Sequence, residues 1–193
     1  MKNILLVFFL SGLFACSRVV HQPLQVVASK QFSGAKIDSV VLVPLSSEEA
    51  NTQRRNQQFL RALKGATSFD VAMHGQTGKS KDPLTIARSY AGNGEVAAVL
   101  FGEIKKTGSA NQKISEYQPV SFSVALFDTE LRQVVWRADY RNFNKPVTDN
   151  LFELGDRLDR GLSYRTSDQF FEEGFQRVAQ ELERSRHSAL SLN

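Results

Sequence analysis

Residues 38–45 read Asp-Ser-Val-Val-Leu-Val-Pro-Leu, and the unbroken apolar run inside them decides the fold. A half-buried strand alternates apolar and polar residues, because successive side chains point to opposite faces. A strand without a polar phase needs cover on both faces, the condition of a central strand in a parallel α/β sheet. A second such run, VAAVLFGEI, occupies 96–104, and a shorter one, FDVAM, occupies 69–73. Between the first two strands, Ser46-Ser47-Glu48-Glu49 has capping-box spacing. It predicts a helix to about Lys64 that stops at Gly65, with Phe59, Leu60 and Leu63 on its apolar face. The first half of that helix, NTQRRNQQ, reads as solvated all round, which makes Arg54 and Arg55 the candidate interaction surface. Asp82-Pro83 joins an N-cap to proline at the first helical position and predicts a helix over 84–91, with Ile86, Ala87 and Tyr90 inward. Three strands joined by two helices make parallel βαβ units with right-handed crossovers.

The pattern changes after 104. Val120, Phe122, Val124 and Leu126 alternate with smaller or polar residues, and so do Val134, Trp136, Ala138 and Tyr140 beyond the turn at Asp128-Thr129-Glu130. Period two on both sides of a short polar turn predicts an antiparallel hairpin with one buried face, on which Trp136 and Tyr140 are core residues. Residues 143–165 are polar and predict only a short helix near 150–158. Thr166-Ser167-Asp168-Gln169 is a second capping box, and Phe171, Phe175, Val178 and Leu182 mark one face of a closing helix, supported by Glu173 four residues before Arg177. The fold class is therefore α/β: a single three-layer-like domain whose mixed sheet combines parallel βαβ units, an antiparallel hairpin and a C-terminal helix. The boundaries are 1–15 for a signal peptide, 16–36 for a tether with one short strand, 37–184 for the domain and 185–193 for a frayed tail.

Composition narrows the chemistry. The 193 residues carry a formal charge of +4, but the basic residues are dispersed, with Arg54–Arg55 and Lys105–Lys106 only as pairs. No basic stripe or stacking motif points to nucleic acid. The loop GQTGKS at 75–80 mimics part of a phosphate-binding loop, yet Met73 stands where the sharp turn requires Gly, and the next helix opens later, at Asp82-Pro83. It reads as a solvated loop, not a nucleotide site. His21, His74 and His187 have no metal-ligand spacing, so neither a metal nor a cofactor is expected. Glu103 follows Gly102 in an apolar strand and needs either an ion pair or a place at the sheet end. No nucleophile elbow or paired carboxylates mark a catalytic site, and the reading is of a non-enzyme.

Met1-Lys2-Asn3, the apolar run from Ile4 to Leu10 and the close at Leu13-Phe14-Ala15 have the three regions of a secretory signal. The run is too short to span a bilayer permanently. Directly behind it stands Cys16, the single cysteine of the chain. Leu13-Phe14-Ala15-Cys16 resembles the lipobox of bacterial lipoproteins. The resemblance implies cleavage before Cys16, a diacylglyceryl group on its sulfur and a further acyl chain, such as palmitate, on the new amine. Two or more acyl chains anchor a protein stably, where one does not. Ser17, in place of the Asp that retains such proteins at the inner membrane, implies the outer membrane, with the domain facing the periplasm.

The order of elements over 37–142 is similar to the α/β domain of the curli-secretion lipoprotein CsgG, of LpoB-type activators of penicillin-binding proteins and of the TolB amino-terminal domain. FDTELRQVVW resembles a D-x-x-x-G-x-v-v-W pattern of that group, with Leu131-Arg132-Gln133 where the pattern carries Gly. The resemblance implies docking on envelope machinery rather than catalysis, with an envelope protein as partner and the membrane reached through lipid on Cys16. Two other readings stay open: a small-ligand-binding or cell-wall-acting enzyme whose site forms only in three dimensions, and a ring-forming secretion component.

Overall fold

The computed structural model describes residues 23–32, 37–47, 52–75, 82–91, 95–105, 120–142 and 166–190. The central apolar run becomes β2 (Ser39–Leu42), which lies parallel to β3 (Asp70–Met73) on one side and β4 (Ala98–Lys105) on the other. Helices α1 (Thr52–Ala66) and α2 (Pro83–Ser89) make the crossovers. The hairpin forms as β5 (Val120–Asp128) and β6 (Gln133–Asn142), with β5 antiparallel to β4. A further strand, β1 (Leu24–Ala28), pairs antiparallel with β6, and α3 (Ser167–Leu190) closes the chain. The six-stranded sheet runs β1-β6-β5-β4-β2-β3, the mixed α/β architecture expected from the sequence.

One face of the sheet is sealed by α1 and α3. Their Phe59 and Phe175 rings stack at 4.8 Å, and Phe122 on β5 meets Tyr140 at 5.1 Å and Phe175 at 4.8 Å. Leu42, Leu100, Leu126, Trp136 and Leu182 complete this core, each at most 1% exposed. Burial of one such side chain contributes about 1.5–3 kcal/mol. The helix comes this close because of Gly174: a Cβ there would lie 2.8 Å from ring carbons of Phe122 and Tyr140. The other face has a smaller core, in which α2 covers Val43, Val99 and Phe127 with Ala87.

Two of the three caps drawn from the sequence form. Asp82 accepts from the Leu84 and Thr85 amides, while Thr166 and Gln169 exchange reciprocal bonds at 2.9 and 3.3 Å. Four expectations need correction. Ser46 does not open a helix; it forms a parallel bridge with Glu103, its amide donating to Gly102 O, and so extends the strand. Helix α1 runs through Gly65, where a side chain would meet nothing, and ends at Ala66, followed by Thr67 bonded back to Leu63 O. The tail expected to fray from Ser185 is helical to Leu190, held by Trp136 Nε1 donating to Ser185 Oγ at 3.1 Å. The hairpin alternation breaks once: Phe127 faces Val134 and Leu126 faces Trp136, so Val135 is an extra residue in a β-bulge. Val135 turns into the core, and Val134 is left 41% exposed.

The hairpin turn is held by Asp128, whose carboxylate accepts from the Glu130 and Leu131 amides, and by Arg132 in a left-handed conformation with φ 56°. Glycine adopts such a φ without cost, whereas here a side chain is carried through it. The short strand expected in the tether range is β1, so the sheet itself reaches back to Leu24. The short helix expected near 150–158 lies outside the described residues.

Candidate functional site

The sequence singled out Arg54 and Arg55 as a surface pair, and the structure separates them. Arg55 is 5% exposed. Its guanidinium lies 4.1 Å above the Phe171 ring, bonds Asp168 at 2.6 Å and donates to Gln58 Oε1 at 3.2 Å. It is an internal strut between α1 and α3, not a contact residue. Arg54 bonds the same Asp168 at 2.9 Å, but its side chain is 64% exposed. Asn56 is also buried and accepts from the Leu45 amide at 2.8 Å, tying the start of α1 to the end of the β2 segment. The signal was present in the sequence. Arg55 is one turn before Phe59 and two before Leu63, so the apolar stripe, extended backwards, lands on it.

Outside this strut, α1 and α3 leave a solvent-filled groove of about 620 Å³ between them. Its α1 side carries Arg61 beside the small residues Ala62, Gly65 and Ala66, its α3 side carries Glu172, and Gln58, Gln176 and Gln180 supply amides. At the top of the groove's helices, Ser68 donates to Glu183 at 2.6 Å, and His187 approaches the same carboxylate at 3.1 Å. Burial pushes the Glu183 carboxyl up, but the Ser68 hydrogen bonds and the charges of Arg186 and His187 outweigh it and hold it below the usual range.

The second surface is the part of the sheet that α2 leaves uncovered. Register sets its rows. Lys105, Ser121 and Arg141 form one; Glu103, Ser123, Asp139 and Gln25 the next; Phe101, Ala125, Arg137 and Val27 the third. Asp139 is its electrostatic centre, bonded to Lys105 at 3.5 Å and to Arg137 at 3.2 Å. Glu103 is exposed and receives the Ser123 hydroxyl at 3.5 Å, which resolves how a charge sits in that strand: it faces the open side. Val27, at 70% exposure, is an apolar side chain standing free beside these charges.

The place where an α/β sheet most often binds a small ligand is the switch point between strands whose crossovers leave in opposite directions. Here that point lies between β2 and β4, and the Ser46 bridge to β4 closes it. Beside it, His74 Nδ1 lies 2.5 Å from the Tyr90 hydroxyl. Burial, with Glu95 adding to it, raises the Tyr90 pKa. Thr85, bonding the Asp82 carboxylate, lowers that group's pKa in its capping role. Among the described residues no cluster of His, Cys, Asp and Glu could hold a metal, and no helix is long and apolar enough to cross a membrane. Cys16, His21, residues 76–80 of the GQTGKS loop and the 143–165 segment lie outside the described residues.

No family model matches the chain, and no curated protein matches it. Solved structures do. The fold is similar to the PelC dodecamer from Paraburkholderia phytofirmans, at 15% identity and TM-score 0.55, over 83% of this chain and 96% of that one. A single-substitution variant of the same dodecamer gives TM-score 0.56 at 15% identity, over 84% and 99%. A looser likeness, from which nothing is argued, is to lipoprotein GNA1162 from Neisseria meningitidis: 15% identity, TM-score 0.41, over 65% of this chain and 99% of that one. At these identities the likeness establishes a shared fold.

Proposed function

We propose that the chain is an outer-membrane lipoprotein, anchored through Cys16, whose periplasmic domain is a non-catalytic docking module for envelope machinery. The observation that carries this reading is the open half of the sheet. There Glu103, Lys105, Arg137, Asp139 and Arg141 stand on three paired strands with no helix over them among the described residues. Rigid strands present these charges in fixed geometry, which suits electrostatic recognition of a partner surface. Arg54 is exposed beside Asp168 on the helical side of the sheet, and Arg55 is buried there. The lipobox and Ser17 support the location, and the element order that resembles the CsgG, LpoB and TolB domains supports the same kind of role.

The test is affinity capture from detergent-solubilised envelopes, with wild type and an Asp139→Lys variant whose circular dichroism matches wild type. Loss of a dominant captured envelope protein in the variant supports the reading. Equal capture by both, or capture lost only when the domain unfolds, contradicts it. One observation favours a second reading, a ring-forming component: the fold is shared over 83% of this chain with a protein that forms a dodecamer. Sedimentation of the lipidated protein in detergent distinguishes the two, since a ring sediments as a large homo-oligomer without any partner.

A further inference from the structure

The two outer edges of the sheet, β1 and β3, are built differently. Edge β3 is 4 residues long and opens on the exposed Asp70. The Asp70 and His74 amides bond inward, so only Val71 and Met73 present outward backbone. Shortness and charge are the usual protection of a sheet edge. Edge β1, LQVVA, has neither a charge nor a bulge against β6. The Arg141 amide bonds Pro23 O and the Ser29 amide bonds Val135 O, each at 2.8 Å. Between them Gln25 and Val27 bond inward, while Leu24, Val26 and Ala28 point their N–H and C=O groups away from the sheet. Among the described residues nothing bonds these outward groups. Pro23 bounds the stretch at one end and the turn at Lys30 at the other. Val27 is the most exposed large apolar side chain of the described residues. The charges beside the edge are matched within the chain: Arg137 with Asp139, Arg177 with Glu173 and Arg184 with Glu181. On the helical side a groove of about 470 Å³ runs along the edge, between Leu24 and Val26 on the strand and Gln180 and Glu181 on α3.

From this we infer that two copies of the chain join by their β1 edges, antiparallel about a twofold axis through Val26. The inference deepens the self-associating reading above and rests on it. In this register Val26 faces Val26 of the second copy, and Leu24 faces its Ala28, so every outward N–H and C=O of both strands finds a partner. A shift of two residues either way leaves outward groups unpaired at both ends. Leu24 and Val26 of the second copy fill the groove beside α3. Like charges directly opposite one another destabilise a strand pair, and here there are none: the strand is uncharged, and the two Lys30 residues stand at opposite ends of the pair.

The experiment uses the full-length protein in detergent, with lipid on Cys16 shown by mass, so that an introduced cysteine is the single free thiol. Where Cys16 carries no lipid, the same substitutions are made together with Cys16→Ser. Under mild oxidation Val26→Cys is expected to give a disulfide-linked dimer, because the Cα atoms of a bonded pair lie about 5.5 Å apart, within bridging range. Val27→Cys is expected to give several-fold less, although Val27 is the more exposed, because its counterpart lies on the diagonal at roughly 7–8 Å. Mixed Gln25→Cys and Val27→Cys copies are expected to join. Adding Val26→Pro to both, with circular dichroism unchanged, is expected to cut that yield several-fold. Yields that follow exposure, with 27 above 26, overturn the register, and a 25–27 yield that survives Val26→Pro overturns the edge pair. Sedimentation separates the edge from the reading beneath it. Wild type that self-associates while Val26→Cys stays unlinked overturns the edge pair alone, and wild type that stays monomeric overturns both.

Discussion

The two faces of this sheet are built from the same strands and do opposite things. The face under α1 and α3 is filled with aromatic rings and aliphatic side chains at near-zero exposure, and even its one buried cation, Arg55, is matched by Asp168 and Phe171. The face beyond α2 carries Glu103, Lys105, Arg137, Asp139 and Arg141, and the pairs that Asp139 makes with Lys105 and Arg137 are half-exposed to water. Free energy of folding is therefore concentrated on the first face, because exposed ion pairs contribute at most about 1 kcal/mol each. Among the described residues nothing covers the charged side chains of the second face, and substitutions there are expected to cost the fold little. The difference teaches where to look for function in a domain whose core explains nearly all its apolar residues.

The largest effect expected is on the covered face. Phe175→Ala removes a ring that stacks on Phe59 and meets Phe122, and is expected to lower stability by about 3–5 kcal/mol in urea unfolding. Next is the pair that sequence alone could not separate. Arg55→Ala is expected to cost about 2–3 kcal/mol through loss of the ion pair, the ring contact and packing. Arg54→Ala is expected to cost less than about 1 kcal/mol. Equal costs for the two would break the distinction between strut and surface.

The edge strand offers a finer test. Pro23 and Ser29 bond inward to Arg141 and Val135, so by alternation Val27 bonds inward while the Val26 amide points away from the sheet. Val27→Pro is expected to cost about 1–3 kcal/mol, and Val26→Pro clearly less, by thermal unfolding. On the open face, Asp139→Ala is expected to change stability by less than about 1 kcal/mol while reducing partner capture. The smallest effect is pH-dependent. The Glu183 carboxyl is held below its usual range, so its contribution is present above about pH 4.3 and is lost as pH falls through the lowered value. Glu183→Gln should flatten that acid limb of the stability profile.

Much of the fold was legible because it rests on period and punctuation. The unbroken runs at 38–45 and 96–104 needed cover on both faces, and Asp82-Pro83 and Thr166–Gln169 named their own caps. What was not legible depended on partners distant in sequence. A polar helix turn looks the same whether it meets water or Asp168, so Arg55 and Asn56 read as exposed. The bulge at Val135 follows from how two strands register, and period two gave no sign of it. Ser46 looked like a helix cap because its spacing to Glu49 fits one, yet a bridge to Glu103 competes for the same residue and wins. The open face was visible as the polar phase of the hairpin. That none of the described helices lies above it was not, because nothing in β5 and β6 says so.

The most direct measurement is photo-crosslinking in cells, with a photoreactive residue placed singly at Arg137 or Asp139 on the open face and at Gln58 or Gln176 in the helix groove. The account predicts adducts to one envelope protein, or to a second copy of the chain, from 137 and 139 and none from 58 and 176. Adducts from the helix groove alone would contradict it and move the docking surface to the other side of the molecule.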